Sequence, residues 1–121
     1  MIHRTWIGAG AISALLSVAI GAFGAHALDL GERASTYDTG VQYHMLHAVA
    51  LLAVGLIGDK LGKESALSWA GWLFVAGTVL FAGSLYVLSI TGITWLGAIT
   101  PLGGVCFLAG WAVMAWCAFR K

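Results

Sequence analysis

Charge is what this sequence has least of. Of its 121 residues 9% are charged, six Lys or Arg against five Asp or Glu, for a net charge of +1. That balance offers no basic surface to nucleic acid and no acidic surface to a basic partner. Proline occurs once, at Pro101, so long helices can run uninterrupted. The two cysteines, Cys106 and Cys117, stand eleven residues apart in one predicted helix, roughly 16 Å at 1.5 Å per residue. That is too far for a disulfide, and no CxxC or Cys-His zinc spacing exists, so both are read as small buried apolar residues. Also missing are a Ser-His-Asp order, a carboxylate pair at helical spacing within an apolar run, and a glycine-rich phosphate loop. The sequence therefore predicts no enzyme and no bound cofactor.

What the chain has in abundance is apolar surface. It is 60% hydrophobic, with a mean hydropathy of +0.92, far outside the range of soluble domains. The prediction is an all-α integral membrane protein, one transmembrane domain over residues 1–121, with the lipid bilayer as its first partner. Four apolar runs are long enough to cross a bilayer as helices, over about residues 6–25, 40–57, 66–90 and 101–119. The first imitates a cleavable signal, with a basic His3-Arg4 start and an Ala25-His26-Ala27 triplet. It is longer than a signal's apolar region, and is read as the first spanning helix.

Residues 26–40 hold Asp29, Glu32, Arg33 and Asp38 and read as an aqueous loop, with a short interfacial helix over Leu28, Leu30, Ala34 and Tyr37 as an option. Thr39-Gly40-Val41-Gln42 fits the capping box of a helix start, which places the second helix near Gly40. Residues 58–65 form a charged turn. Thr91-Gly92 ends the third helix, and Thr100-Pro101 starts the fourth with Thr100 as cap. Residues 93–99 stay open between a hairpin, a short helix and a first turn of the fourth helix.

Small residues mark the packing seams. Ser13, Ser17, Gly21 and Ala25 repeat every four residues; Ala70, Gly77 and Ser84, and then Gly103, Gly110 and Cys117, repeat every seven. Such strips let helices approach closely in a membrane. With four crossings Arg4, Lys60, Lys63, Arg120 and Lys121 collect on one side and Arg33 alone on the other, which places both termini in the cytoplasm. Trp6, Trp69, Trp72 and Trp116 then mark the inner interface and Tyr37, Tyr43 and Trp95 the outer one. The architecture expected is a four-helix bundle, N-in and C-in, in the inner (plasma) membrane.

Four segments together carry a resemblance: Gly21-Ala-Phe-Gly-Ala-His-Ala-Leu28, Val41-Gln-Tyr-His-Met-Leu-His-Ala48, Phe81-Ala-Gly-Ser-Leu-Tyr86 and Leu96-Gly-Ala-Ile-Thr-Pro-Leu-Gly-Gly104. In this order they resemble the small bacterial membrane proteins of the YgdD/YwdK type, related to a eukaryotic transmembrane protein. The resemblance covers nearly the whole chain. It implies a multi-pass membrane protein and supplies no activity and no catalytic residue.

The remaining candidates are His26, Tyr43, His44 and His47. Ionisable groups inside an apolar run usually face a bundle interior or water. His44 and His47 are three residues apart and Tyr43 and His47 four, so all project to one side of a helix. The predicted topology brings them to the outer level together with His26, Ser84, Tyr86 and Thr100. Three readings compete: hydrogen bonds that pin helices together, an outward-facing site for a small molecule, lipid, quinone or proton, and a metal or haem site using His26 with His44 or His47. The first is favoured, with no metal ligand assigned. The function expected is that of a non-enzymatic structural or accessory membrane protein, with a second copy or another membrane protein as a further partner.

Overall fold

The structure, a computed structural model, describes residues 2–120, without the side chains of Ile2, His3, Asp59 and Glu64. The His3 side chain and Lys121, both used in the sequence reading, thus lie outside the described residues. Every regular element is helical: α1 (Ile2–Ala27), a 3₁₀ turn (Gly31–Arg33), α2 (Ala34–Leu61), α3 (Glu64–Gly77), a π-helical segment (Thr78–Gly83), α4 (Ser84–Thr91), a second 3₁₀ turn (Thr94–Ala98) and α5 (Thr100–Phe119). Four stretches are long and apolar enough to span a membrane: Arg4–Ala27, Gly31–Gly58, Ser65–Thr91 and Thr94–Phe119. The protein is an all-α, multi-pass membrane bundle.

α2 starts at Ala34, six residues before Gly40, where the capping box placed its start. Thr39 Oγ1 does not cap; it donates back to Ser35 O at 2.9 Å, as hydroxyls do inside helices. Tertiary contact overrides the local signal, because Tyr37 is buried against α1, where its ring lies over Gly24 and its hydroxyl donates to Ile20 O. The expected aqueous loop is thereby reduced to a few residues around the Gly31–Arg33 turn, and Tyr37 is a core residue rather than an interfacial one. Trp6 departs in the same way. It is buried over Gly71, packs edge-on against Trp72 with centroids 5.4 Å apart, and donates to Ser68 Oγ at 3.4 Å. Trp69, Trp72, Trp95 and Trp116 are exposed on the bundle surface.

α1 packs chiefly along α2. The seam is not strictly four-spaced: Gly10, Ser13, Ser17, Gly21 and Gly24 follow the 3.6-residue turn, and Ala25 is exposed. A Cβ on Gly10 would stand 2.9 Å from Ala48 O and one on Gly21 3.2 Å from Val41 Cγ1. The third span and α5 meet antiparallel through both predicted heptad seams. The Phe107 ring lies over Gly77 and the Phe74 ring over Gly110, each filling the notch left by a glycine opposite, while at Gly103 the backbone of Phe81 itself comes into close contact. Ser84 and Thr100 extend this register with a hydroxyl pair 2.6 Å apart. Thr100 therefore serves the helix interface, and no side chain caps α5.

The π segment is invisible in the sequence. It widens one turn of the third span, so that Phe74, Gly77, Phe81 and Ser84 keep to α5 while Leu85 and Tyr86 reach Gly40 of α2. α4 ends at Thr91 as expected, with Gly92 left-handed at φ 77° and its N–H donating to Leu88 O at 2.7 Å. Arg33 completes that end by donating from Nε to Ser89 O at 2.8 Å. A cation at a helix C-terminus is favourable, so this guanidinium ties the first connection to the last turn of α4. Residues 94–98 resolve to the short helix among the three options. Cys117 is buried as expected, whereas Cys106 is half-buried, and both are free thiols.

Candidate functional site

The earlier start of α2 sets the depth of the histidines. His44 falls at the middle of the span Gly31–Gly58, about 20 Å of helix from either end. Exposed Asp38 precedes it by six residues, and its partner Tyr86 stands five residues from the end of Ser65–Thr91, so the cluster sits toward the end of the bundle that carries the Gly31–Arg33 turn. His44 and His47 are 5% and 2% exposed, so every polar atom on them must be answered from within the protein or from a neighbouring molecule.

His47 is fully answered. Its Nδ1–H donates to Tyr43 O, one turn back, at 2.7 Å. Its Nε2 accepts from Trp111 Nε1–H of α5 at 3.0 Å. An indole N–H can only donate, so His47 is the neutral Nδ1–H tautomer. The imidazole is stacked on Phe107 with centroids 3.5 Å apart and planes 7° apart, and tilted against Phe74 at 5.4 Å. One ring therefore joins α2 to both α3 and α5.

His44 turns to different neighbours. Nδ1 pairs with Tyr86 Oη of α4 at 2.8 Å and Nε2 with Ser13 Oγ of α1 at 3.0 Å. Tyr86 is in turn packed against Tyr37, centroids 5.4 Å apart, and over Gly40. The two histidines, adjacent on α2, thus form two separate sites. Between them they bond α2 to every other span.

Of the four residues the sequence singled out, the structure groups Tyr43 with His47 and leaves the other two elsewhere. Tyr43 is partly exposed, its ring 4.6 Å from Phe81 and 6.3 Å from Phe107, and its carbonyl serves His47. His26 is exposed in the last turn of α1, and among the described residues no hydrogen bond joins it to His44 or His47. Sequence reasoning missed Trp111 and Phe107, and saw Ser13 only as a small residue. Trp111 carried a usable signal: an indole near the middle of a spanning helix lies away from the interfacial belt, and its N–H needs an acceptor.

No group of three or more His, Cys, Asp or Glu side chains is placed to hold a metal ion among the described residues. His47 offers no free lone pair while Trp111 donates to it, and His44 has partners at both nitrogens. Beside His44 runs a groove of about 470 Å³ between α1, α2 and the π segment, with Ser13, His44, Thr78 and Tyr86 in an otherwise apolar wall. A second recess of about 400 Å³ lies beside Tyr43, His47 and Trp111.

Comparison with known proteins agrees with a membrane protein. Residues 20–104 match the family described as "Protein of unknown function (DUF423)". The chain is 50% identical over 121 residues to the UPF0382 membrane protein YwdK of Bacillus subtilis, covering 97% of this chain and 98% of that one. It is 41% identical to the UPF0382 membrane protein SH2409 of Staphylococcus haemolyticus, covering 97% of each. It is 42% identical to a UPF0382 membrane protein of Haemophilus influenzae, covering 92% of this chain and 90% of that one. No solved structure matches. With a family match over most of its length and relatives of this identity spanning nearly all of it, the chain belongs to the DUF423 family, whose relatives are named UPF0382 membrane proteins.

Proposed function

We propose that this chain is a non-enzymatic, structural or accessory protein of the cell membrane, with both termini in the cytoplasm and a second copy or another membrane protein as partner. The observation that supports a structural role is the pairing of all four ring nitrogens of His44 and His47 inside the protein, three of them with side chains of other helices. Imidazoles held in this way join helices, each such bond contributing about 0.6–2 kcal/mol in a membrane. A general base or a metal ligand needs a lone pair that faces a substrate or an ion, and the hydrogen bonds at His47 use it up. The orientation rests on charge. Arg4, Lys60, Lys63 and Arg120 lie at one end of the bundle, and the one described cation opposite, Arg33, is engaged with Ser89 O.

Stability measurements test the structural role. His44→Leu and His47→Leu are expected to lower both resistance to unfolding in detergent and accumulation in the membrane. A double variant that accumulates and unfolds like the parent contradicts this role. Reporter fusions at residues 31 and 61 test the orientation: a cytoplasmic signal at 31 or an external one at 61 refutes it. The purified protein is expected to be colourless and metal-free, with unchanged stability in chelator; a bound metal or a visible absorption band contradicts that.

A further inference from the structure

The two ends of the bundle carry opposite charge, which the net charge of +1 conceals. At the end where α2 turns into α3, Arg4, Lys60, Lys63 and Arg120 stand against two carboxylates, Asp59 and Glu64. At the other end Asp29, Glu32 and Asp38 stand against Arg33, which is engaged with Ser89 O. The first end is therefore positive, whether or not its own ions pair with one another, and the second is negative.

The packing of the third span on α5 locates the positive charge more closely. The contacts of Phe74, Gly77, Phe81 and Ser84 with α5 keep one antiparallel register, each step along one helix matched by an equal step back along the other. Continued toward the start of α3, that register sets Leu67 against Cys117, and both are 1% exposed. One further turn sets Arg120 beside the Lys63–Glu64 start of α3, so two cations flank one carboxylate there.

Below these cations the surface is aromatic. Trp69 and Trp116 are 70% and 51% exposed and stand about one to two turns deeper, on the side of α3 and α5 turned away from α1 and α2. Ser68 of α3 and Trp111 of α5 mark the inner side, through their bonds to Trp6 of α1 and His47 of α2. The Arg120 guanidinium lies over the Trp116 ring, its Cζ 5.0 Å from the centroid. Stacking of this kind uses the face of the guanidinium and leaves the N–H groups along its edge for an anion, which a phosphate accepts side by side.

A ligand that fits both parts of this surface carries an anion on a hydrocarbon body, and in a membrane that is a phospholipid. A zwitterionic headgroup brings an ammonium that already answers its phosphate, and the surplus of cations repels it. A headgroup of net negative charge gains about fivefold in affinity for each Lys or Arg near the membrane surface. We propose that the outer face of the α3–α5 pair, at the basic end of the bundle, binds an anionic phospholipid, its phosphate held by Arg120 and Lys63 and its acyl chains lying along Trp69 and Trp116.

The test uses the intact protein in phosphatidylcholine vesicles and compares quenching of its tryptophan fluorescence by brominated phosphatidylglycerol and by equally brominated phosphatidylcholine. Both leaflets hold both lipids, so binding does not depend on the orientation of the bundle. At low ionic strength the affinity is expected to favour phosphatidylglycerol by about 5- to 25-fold, the range for one to two cations. Arg120→Gln and Lys63→Gln should each lower that ratio about two- to fivefold, and the double variant should bring it near one with unchanged helicity. Arg4→Gln, on α1, should leave the ratio within about twofold of the parent. Replacing Trp69 and Trp116 together by phenylalanine should remove the excess quenching. Equal quenching by the two lipids overturns the proposal, as does a preference that survives in the double glutamine variant or falls as far in Arg4→Gln as in Arg120→Gln. Excess quenching that persists without Trp69 and Trp116 overturns it too. So does release of the lipid by inorganic phosphate at constant ionic strength, which assigns the cations to a free anion.

Discussion

Replacing Gly103 by alanine tests how closely the third span and α5 approach. The added Cβ would stand 2.3 Å from Phe81 N, 2.7 Å from Phe81 Cβ and 2.8 Å from Phe81 Cα, where ordinary contact begins at 3.4 Å. Two of these three atoms are backbone, so no rotamer change relieves the clash and the helices must part by about 1 Å. Parting there also loosens Phe107 over Gly77 and Phe74 over Gly110, which lie further along the same register. Overpacking of this kind costs about 1–3 kcal/mol. Alanine's better helix propensity offsets up to about 1 kcal/mol of it. Gly104, one residue on, supplies the control, because its Cβ would meet only Phe81 Cδ2, at 3.9 Å. The propensity gain nearly cancels between Gly103→Ala and Gly104→Ala, so their difference reports the packing. Equilibrium unfolding in mixed micelles should place Gly103→Ala about 1–3 kcal/mol below Gly104→Ala. Equal stability of the two would refute the register.

The His47–Trp111 bond is testable by a double-mutant cycle. His47→Leu strands the indole N–H, and its cost should fall by about 1 kcal/mol when Trp111 is already phenylalanine; strict additivity argues that the bond is not made. Ser84→Ala and Thr100→Val should be coupled in the same way by about 0.6 kcal/mol, again read by unfolding. Arg33→Ala removes a cation from the C-terminus of α4 and should cost about 0.3–1 kcal/mol, with faster amide exchange at Gly92 and no change at Leu67 in the core. Unaltered exchange at Gly92 would count against that cap.

Much of the fold was legible because a membrane chain writes its spans in composition. The heptads Ala70–Gly77–Ser84 and Gly103–Gly110–Cys117 marked the faces that meet, all six residues being buried. The start of α2 was not legible. Thr39 and Gln42 have the spacing of a cap, and only the burial of Tyr37 over Gly24 reveals that the helix continues through them. That displacement of six residues adds more than one helical turn ahead of the histidines. The histidines themselves were conspicuous as polar groups in an apolar run, but their partners were not. Ser13 and Tyr86 lie on other helices, and the π turn that positions Tyr86 has no local sequence signature. Trp6 and Tyr37 misled for a related reason: an aromatic near a helix end reads as an interfacial anchor unless a glycine opposite makes room to bury it.

The central claim is that α2 is tied to each other span through two neutral imidazoles. Nitrogen NMR of the protein labelled at the histidine rings, in bilayers at neutral pH, measures this directly. The account predicts that His47 has a protonated Nδ1 and a bare Nε2, and that a through-hydrogen-bond correlation joins that Nε2 to the Trp111 indole nitrogen. A doubly protonated His47 ring, or a proton on Nε2, would contradict it.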